Sequence, residues 1–148
     1  MPEASAPRFR AVRNIAMKIP PHQFAATVAF YRDVARLSHL GTFGSNELFE
    51  FGAMRLWLNP LPTISQAEIW LELQADDPGA AARHLEASGV ARCDQIERLP
   101  GDFEGFWIVN PAGIVHLAAH PSEGPEISSE GPEISSEGPE ISSEDPEI

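Results

Sequence analysis

The side chains able to do chemistry lie on the polar sides of segments that alternate apolar and polar residues. Asn14, Ala16 and Lys18 alternate with Ile15, Met17 and Ile19; Glu68, Trp70 and Glu72 alternate with Ile69, Leu71 and Leu73. Arg55 and Trp57 flank Leu56, and His116 and His120 stand in the last apolar run. Successive strand side chains point to opposite faces, so each such set shares a face. Two indoles displayed this way, Trp57 and Trp70, suit a flat or cationic molecule held by stacking. Glu68 and Glu72 suit a cationic group, and Arg55 or Lys18 a carboxylate. Glu68 or Glu72 with His116, and with His120, is also a donor set that Mn²⁺, Fe²⁺ or Zn²⁺ would accept. Plainer roles compete. Indoles also fill cavities and interfaces, strand glutamates meet solvent, and a lone imidazole is commonly structural. His22 reads as a helix start and Cys93 as an ordinary thiol with no nucleophilic partner nearby in sequence. No serine-triad context, glycine-rich phosphate loop or metalloprotease motif is present.

These residues need elements to position them. Asn14–Ile19 reads as a half-buried strand, stopped by Pro20-Pro21. Helical spacing follows over 22–37, with Phe24, Val28, Tyr31 and Ala35 on one stripe. Strand-like pieces come next at 39–43, 47–51 and 54–58, with Gly44-Ser45-Asn46 and Gly52-Ala53 as turns. After Pro60-Leu61-Pro62 the pattern restarts with Glu68–Leu73. Asp77 before Pro78 is a helix start signal, and Gly89 suits the end of a helix over 79–88. Strand-like pieces return at 90–98, 103–109 and 114–119, with Asn110–Gly113 as a turn. Ala16 falls on Trp70 and Tyr31 on Leu85 at one common offset, so the two halves read as copies of a single unit.

The order βαβββ-βαβββ resembles the vicinal-oxygen-chelate superfamily, which includes glyoxalase, bleomycin-resistance proteins and extradiol dioxygenases. The resemblance rests on Ala29–Val34, on Trp70–Asp77 leading into Ala80–Leu85, and on Gly105–Gly113, and it spans about residues 12–119. It implies an α+β fold. Two βαβββ modules, about 12–60 and 66–119 within a domain at 1–120, would form a curled mixed sheet around a cup-shaped cavity. It also implies a homodimer. Metal-dependent members take ligands from the first and last strands of each half. Here those positions hold Ala16, Trp57, Trp70 and His116, and the first three cannot bind a cation. A catalytic site needs about three protein ligands, so no metal cofactor is expected. A two-residue shift within the second half leaves the alternative of a rebuilt site from Glu68, Glu72 and His116. The resemblance to the bleomycin-resistance branch implies metal-independent binding of a small aromatic or cationic molecule by Trp57, Trp70, Arg55, Glu68, Glu72 and His116. The enzyme alternative is a glyoxalase-like lyase, isomerase or dioxygenase.

Composition narrows the partners. The 148 residues carry a net charge of −12, which argues against nucleic acid as a partner. Residues 124–144 repeat Gly-Pro-Glu-Ile-Ser-Ser-Glu three times, and from Pro121 onward there are nine acidic residues and no basic one. The rest of the chain is therefore nearly neutral. One isoleucine and one proline per unit make no coiled-coil seam, and such polar sequence cannot offset its ordering entropy. The expectation for 121–148 is a disordered acidic tail, serving solubility or, in a third reading, a protein partner. No run of 18 apolar residues spans a membrane and no apolar leader opens the chain. A cytoplasmic protein with a small-molecule ligand is the resulting expectation.

Overall fold

A computed structural model of the chain describes residues 7–121. The expected tail, apart from Pro121, and the sequence before Pro7 lie outside the described residues. The fold is α+β and divides into two compact units: residues 13–68 form one, and 7–12 with 69–121 the other. None of the helices among the described residues is long and apolar enough to cross a membrane.

The first unit carries β1 (Arg10–Ile19) from Arg13 onward, α1 (Pro21–Ala29), β2 (His39–Phe43), β3 (Asn46–Phe51) and β4 (Met54–Pro60). Its strands lie in the order β2-β3-β4-β1, antiparallel except for the parallel pair β1 and β4. Pro21 occupies the first turn of α1, where its missing N–H costs nothing. The helix buries Val28 against Ile19, Phe49, Leu56 and Leu58, with Phe24 and Tyr31 beside them. The expected helix over 22–37 is thus present but changes character. Phe30–Val34 winds as a π-helix, with Ala35 N–H donating to the Phe30 carbonyl at 2.8 Å. Arg36 then takes a left-handed φ of 62° and turns the chain toward β2.

The second unit carries β5 (Glu68–Gln74), α2 (Pro78–Ala87), β6 (Ala91–Arg92), β7 (Gly105–Val109) and β8 (Val115–Ala119), ordered β5-β8-β7-β6. Here β5 and β8 are the parallel pair. The helix start is the one expected: the Asp77 carboxylate accepts from Ala80 N–H at 3.0 Å, with Pro78 just inside the helix. Gly89, at φ 84°, ends it in a conformation that costs any other residue strain. The helix packs Ala81, Ala82 and Leu85 on Phe106, Ile108 and Ala118.

The strand expected over 90–98 is mostly absent, and the cause is a tertiary hydrogen bond. Only Ala91–Arg92 pair with β7. Beyond them the Asp94 carboxylate takes the Trp107 backbone N–H at 2.9 Å. That donor is lost to the ladder, and Asp94–Ile96 turn into a short 3-10 helix.

Candidate functional site

Each unit has a sheet face covered by its helix and an opposite face free of that helix, termed inner only to distinguish the two. In the first unit the parallel register sets Asn14 beside Arg55, Ala16 beside Trp57 and Lys18 beside Asn59. Ile15, Met17, Leu56 and Leu58 belong to the helix-side core, so Asn14, Ala16, Lys18, Arg55 and Trp57 share the inner face. The Trp57 indole N–H donates to the Asn14 side-chain oxygen at 3.1 Å, and its ring lies 5.5 Å from that of Phe43. Lys18 and Arg55 are both buried, at 6% and 8% exposure, which is unusual for cations.

In the second unit β8 pairs Phe106 with Ala118, Trp107 with Leu117 and Ile108 with His116. Phe106, Ile108 and Ala118 face the helix, so Trp107 and Leu117 face inward, as do Glu72, which pairs with Leu117, and Trp70. Trp70 meets Trp107 edge-on, with centroids 5.1 Å apart and planes at 69°. At 2% exposure Trp70 has its ring covered by protein. Trp107 is held at three points: its backbone N–H by Asp94, its carbonyl by Cys93 N–H, and its indole N–H by the Glu97 carbonyl at 2.8 Å. Arg92 clamps the other Asp94 oxygen at 2.7–2.8 Å and lies 4.6 Å over the Phe106 ring. Beside this braced indole opens a cavity of about 520 Å³ lined by Asp94, Gln95, Glu97, Arg98, Leu99 and Trp107. Burial, and then the charge of Asp94, push the Cys93 thiol above its ordinary pKa, which disfavours the thiolate.

Among the residues singled out from sequence, the alternation assigns Trp57 and Arg55 to one inner face and Trp70 and Glu72 to the other. Glu68 lies at the exposed start of β5. His116 departs from expectation. It stands opposite Ile108 and beside Leu71, on the helix side of its sheet, with Nδ1 3.1 Å from the Ile114 carbonyl. Its pairing with Ile108 of β7 sets that face, since a shift of one residue turns every side chain over. Ile69 and Leu71 are on the helix side as expected. They remain 40% and 38% exposed. Two features escaped the sequence reading. One is the groove beside Trp107, built by a loop rather than a strand. The other is a polar cluster on the helix side of β2 and β3, where Glu47 Oε1 meets His39 Nε2 and accepts from the Thr42 hydroxyl, each at 2.7 Å. A bulge between His39 and Gly41 hides that pairing from simple alternation.

The sequence matches no protein-family profile and no curated protein. Solved structures do match. A Mn(II)-bound glyoxalase from Novosphingobium aromaticivorans superposes with TM-score 0.52 at 25% identity, over 77% of this chain and 40% of that one. A variant of homoprotocatechuate 2,3-dioxygenase from B. fuscum gives 0.53 at 18%, over 80% of this chain and 34% of that one. The fold is that of the vicinal-oxygen-chelate proteins. A hypothetical protein from Bacillus halodurans C-125 shares it nearly end to end, with TM-score 0.57 at 12% identity, over 80% of this chain and 98% of the other. The chain thus spans about two fifths of the glyoxalase and one third of the dioxygenase.

The metal implied by this vicinal-oxygen-chelate fold can be tested against the residues present. Ala16 offers no donor atom, and the indole N–H groups of Trp57 and Trp70 offer no lone pair. The remaining position, His116, is on the wrong side of its strand. No three His, Cys, Asp or Glu residues cluster closely enough to hold a metal ion among the described residues. The donor set does not fit a divalent cation.

Proposed function

We propose that this chain binds a small, flat organic molecule without a metal, in the groove beside Trp107. The observation that carries this reading is the cavity itself. Its volume of about 520 Å³ lies within the range of ligand pockets, about 300–1,000 Å³. Part of its lining is the small exposed portion of Trp107, 5% of the residue, fixed in advance by Asp94, Cys93, Glu97 and Trp70. A wall that need not be ordered on binding spares the ligand that entropy. Trp107 and Leu99 would contact the flat body of the ligand, and the polar groups at 94–98 its rim. Trp70 acts as the brace rather than as the second slab of a sandwich. On the first unit's inner face, Trp57, Lys18 and Arg55 form a polar lining of the same sheet type.

A glyoxalase-like or dioxygenase-like reaction is the competing reading, favoured by the likeness to the Mn(II)-bound glyoxalase. It needs ligands that Ala16, Trp57 and Trp70 do not provide, so no step is routed through a metal. A homodimer belongs to this proposal, with the exposed Ile69, Leu71 and Ile114 as apolar side chains that a second copy would cover. The binding reading is tested by tryptophan fluorescence against flat aromatic compounds. Saturable quenching near one ligand per chain supports it, and no quenching by any compound at millimolar concentration contradicts it.

A further inference from the structure

The groove has a polarity that narrows the ligand class, and this step rests on the binding reading above. Four groups around it carry charge: Arg92, Asp94, Glu97 and Arg98. Asp94 is spent, with one oxygen on the Trp107 N–H and the other in the Arg92 fork. Arg92 is spent on that same carboxylate and on the Phe106 ring. The Glu97 carbonyl holds the indole N–H, and the residue makes a further interaction. Arg98 differs. It is exposed, lines the groove, and has no hydrogen-bond or ion-pair partner among the described residues. Arg98 is thus the cation of the groove that no carboxylate among the described residues holds, with the exposed Gln95 amide lining the same groove.

A guanidinium presents paired N–H donors in a plane and matches a carboxylate through two parallel bonds. Trp107 and Leu99 supply the apolar wall beside it. We infer that the groove takes an aromatic carboxylate, its ring against Trp107 and Leu99 and its acid group on Arg98. A cationic ligand would find the Asp94 carboxylate already occupied and Arg98 repelling it.

The test uses the full chain and three probes of one shape: 2-naphthoate, its methyl ester and 2-naphthylmethylammonium, titrated by calorimetry and tryptophan fluorescence. The expected result is that 2-naphthoate binds, with the ester and the ammonium about tenfold or more weaker, since a charge-assisted bond is lost. Arg98→Gln should bring 2-naphthoate down to the level of the ester and leave the ester unchanged. Arg98→Lys should recover part of the loss. Because Arg98 is exposed and bonds nothing, both variants should melt like the parent protein. Equal or tighter binding of the ammonium, or a 2-naphthoate affinity indifferent to Arg98→Gln, overturns the carboxylate assignment and leaves flat-molecule binding standing. Failure of all three probes on the parent protein overturns both.

Discussion

Replacing Asp94 with alanine should cost stability through one identifiable bond. Its carboxylate accepts the backbone N–H of Trp107, a residue only 5% exposed, at 2.9 Å. Alanine leaves that donor buried without a partner, a loss of about 1–3 kcal/mol. The Arg92 ion pair is lost too, but its side chains are 48% and 43% exposed, so it adds about 0–1 kcal/mol. For a chain of this size the sum lowers Tm by roughly 3–12 °C. Asparagine separates the two contributions. Asp94→Asn keeps an oxygen for the Trp107 N–H and loses only the charge, so it should cost at most about 1 kcal/mol. The assay is urea unfolding followed by tryptophan fluorescence and far-ultraviolet circular dichroism, with the two transitions compared for coincidence. Asp94→Ala should also weaken ligand binding, because the loop that walls the groove loses its anchor. An Asp94→Ala protein within about 0.5 kcal/mol of the parent would refute the reasoning. So would an asparagine variant as damaging as the alanine one.

Other consequences are open to direct measurement. Trp70→Ala removes the edge-on partner of Trp107 and should destabilise by about 3–5 kcal/mol in the same unfolding assay, with Trp70→Phe much milder. Glu47→Ala strips the shared acceptor from His39 and Thr42 and should cost about 1 kcal/mol, read by thermal denaturation. The Cys93 thiol, held above its ordinary pKa of about 8.5, should alkylate more slowly with iodoacetamide in the native chain than in urea. For the same reason the unfolded state ionises first, so the thiol's contribution to stability should fade as pH rises past that ordinary value. His116→Ala, on the helix side of β8, should leave both metal content and ligand affinity unchanged, measured by elemental analysis and calorimetry.

Local chemistry made much of the fold legible. Ile15, Met17 and Ile19 alternate cleanly because one face of β1 is buried under α1, and the Asp77-Pro78 start and the Gly89 stop of α2 are short-range devices. What escaped depends on contacts distant in sequence. Nothing within 90–98 announces that Asp94 will take a backbone donor from Trp107, yet that bond replaces a strand with the loop that makes the groove. The face of His116 was misjudged for a related reason: the register of β8 is set by its antiparallel partner, while the residue itself fits either side. The change from α to π geometry at Phe30 had no counterpart in the stripe of Phe24, Val28 and Tyr31, which both windings preserve. Trp57 and Trp70 were visible as inner-face residues. That the braced ring at the groove is Trp107 was not, because its role comes from Asp94 and Glu97.

The central claim, binding without a metal, is tested most directly by calorimetric titration of 2-naphthoate into protein stripped with a chelator, its residual metal quantified. The account predicts stoichiometric binding with the same affinity before stripping, after it, and after Mn²⁺ is added back. Binding that vanishes on stripping and returns with Mn²⁺ would contradict it and restore a metal site to this fold.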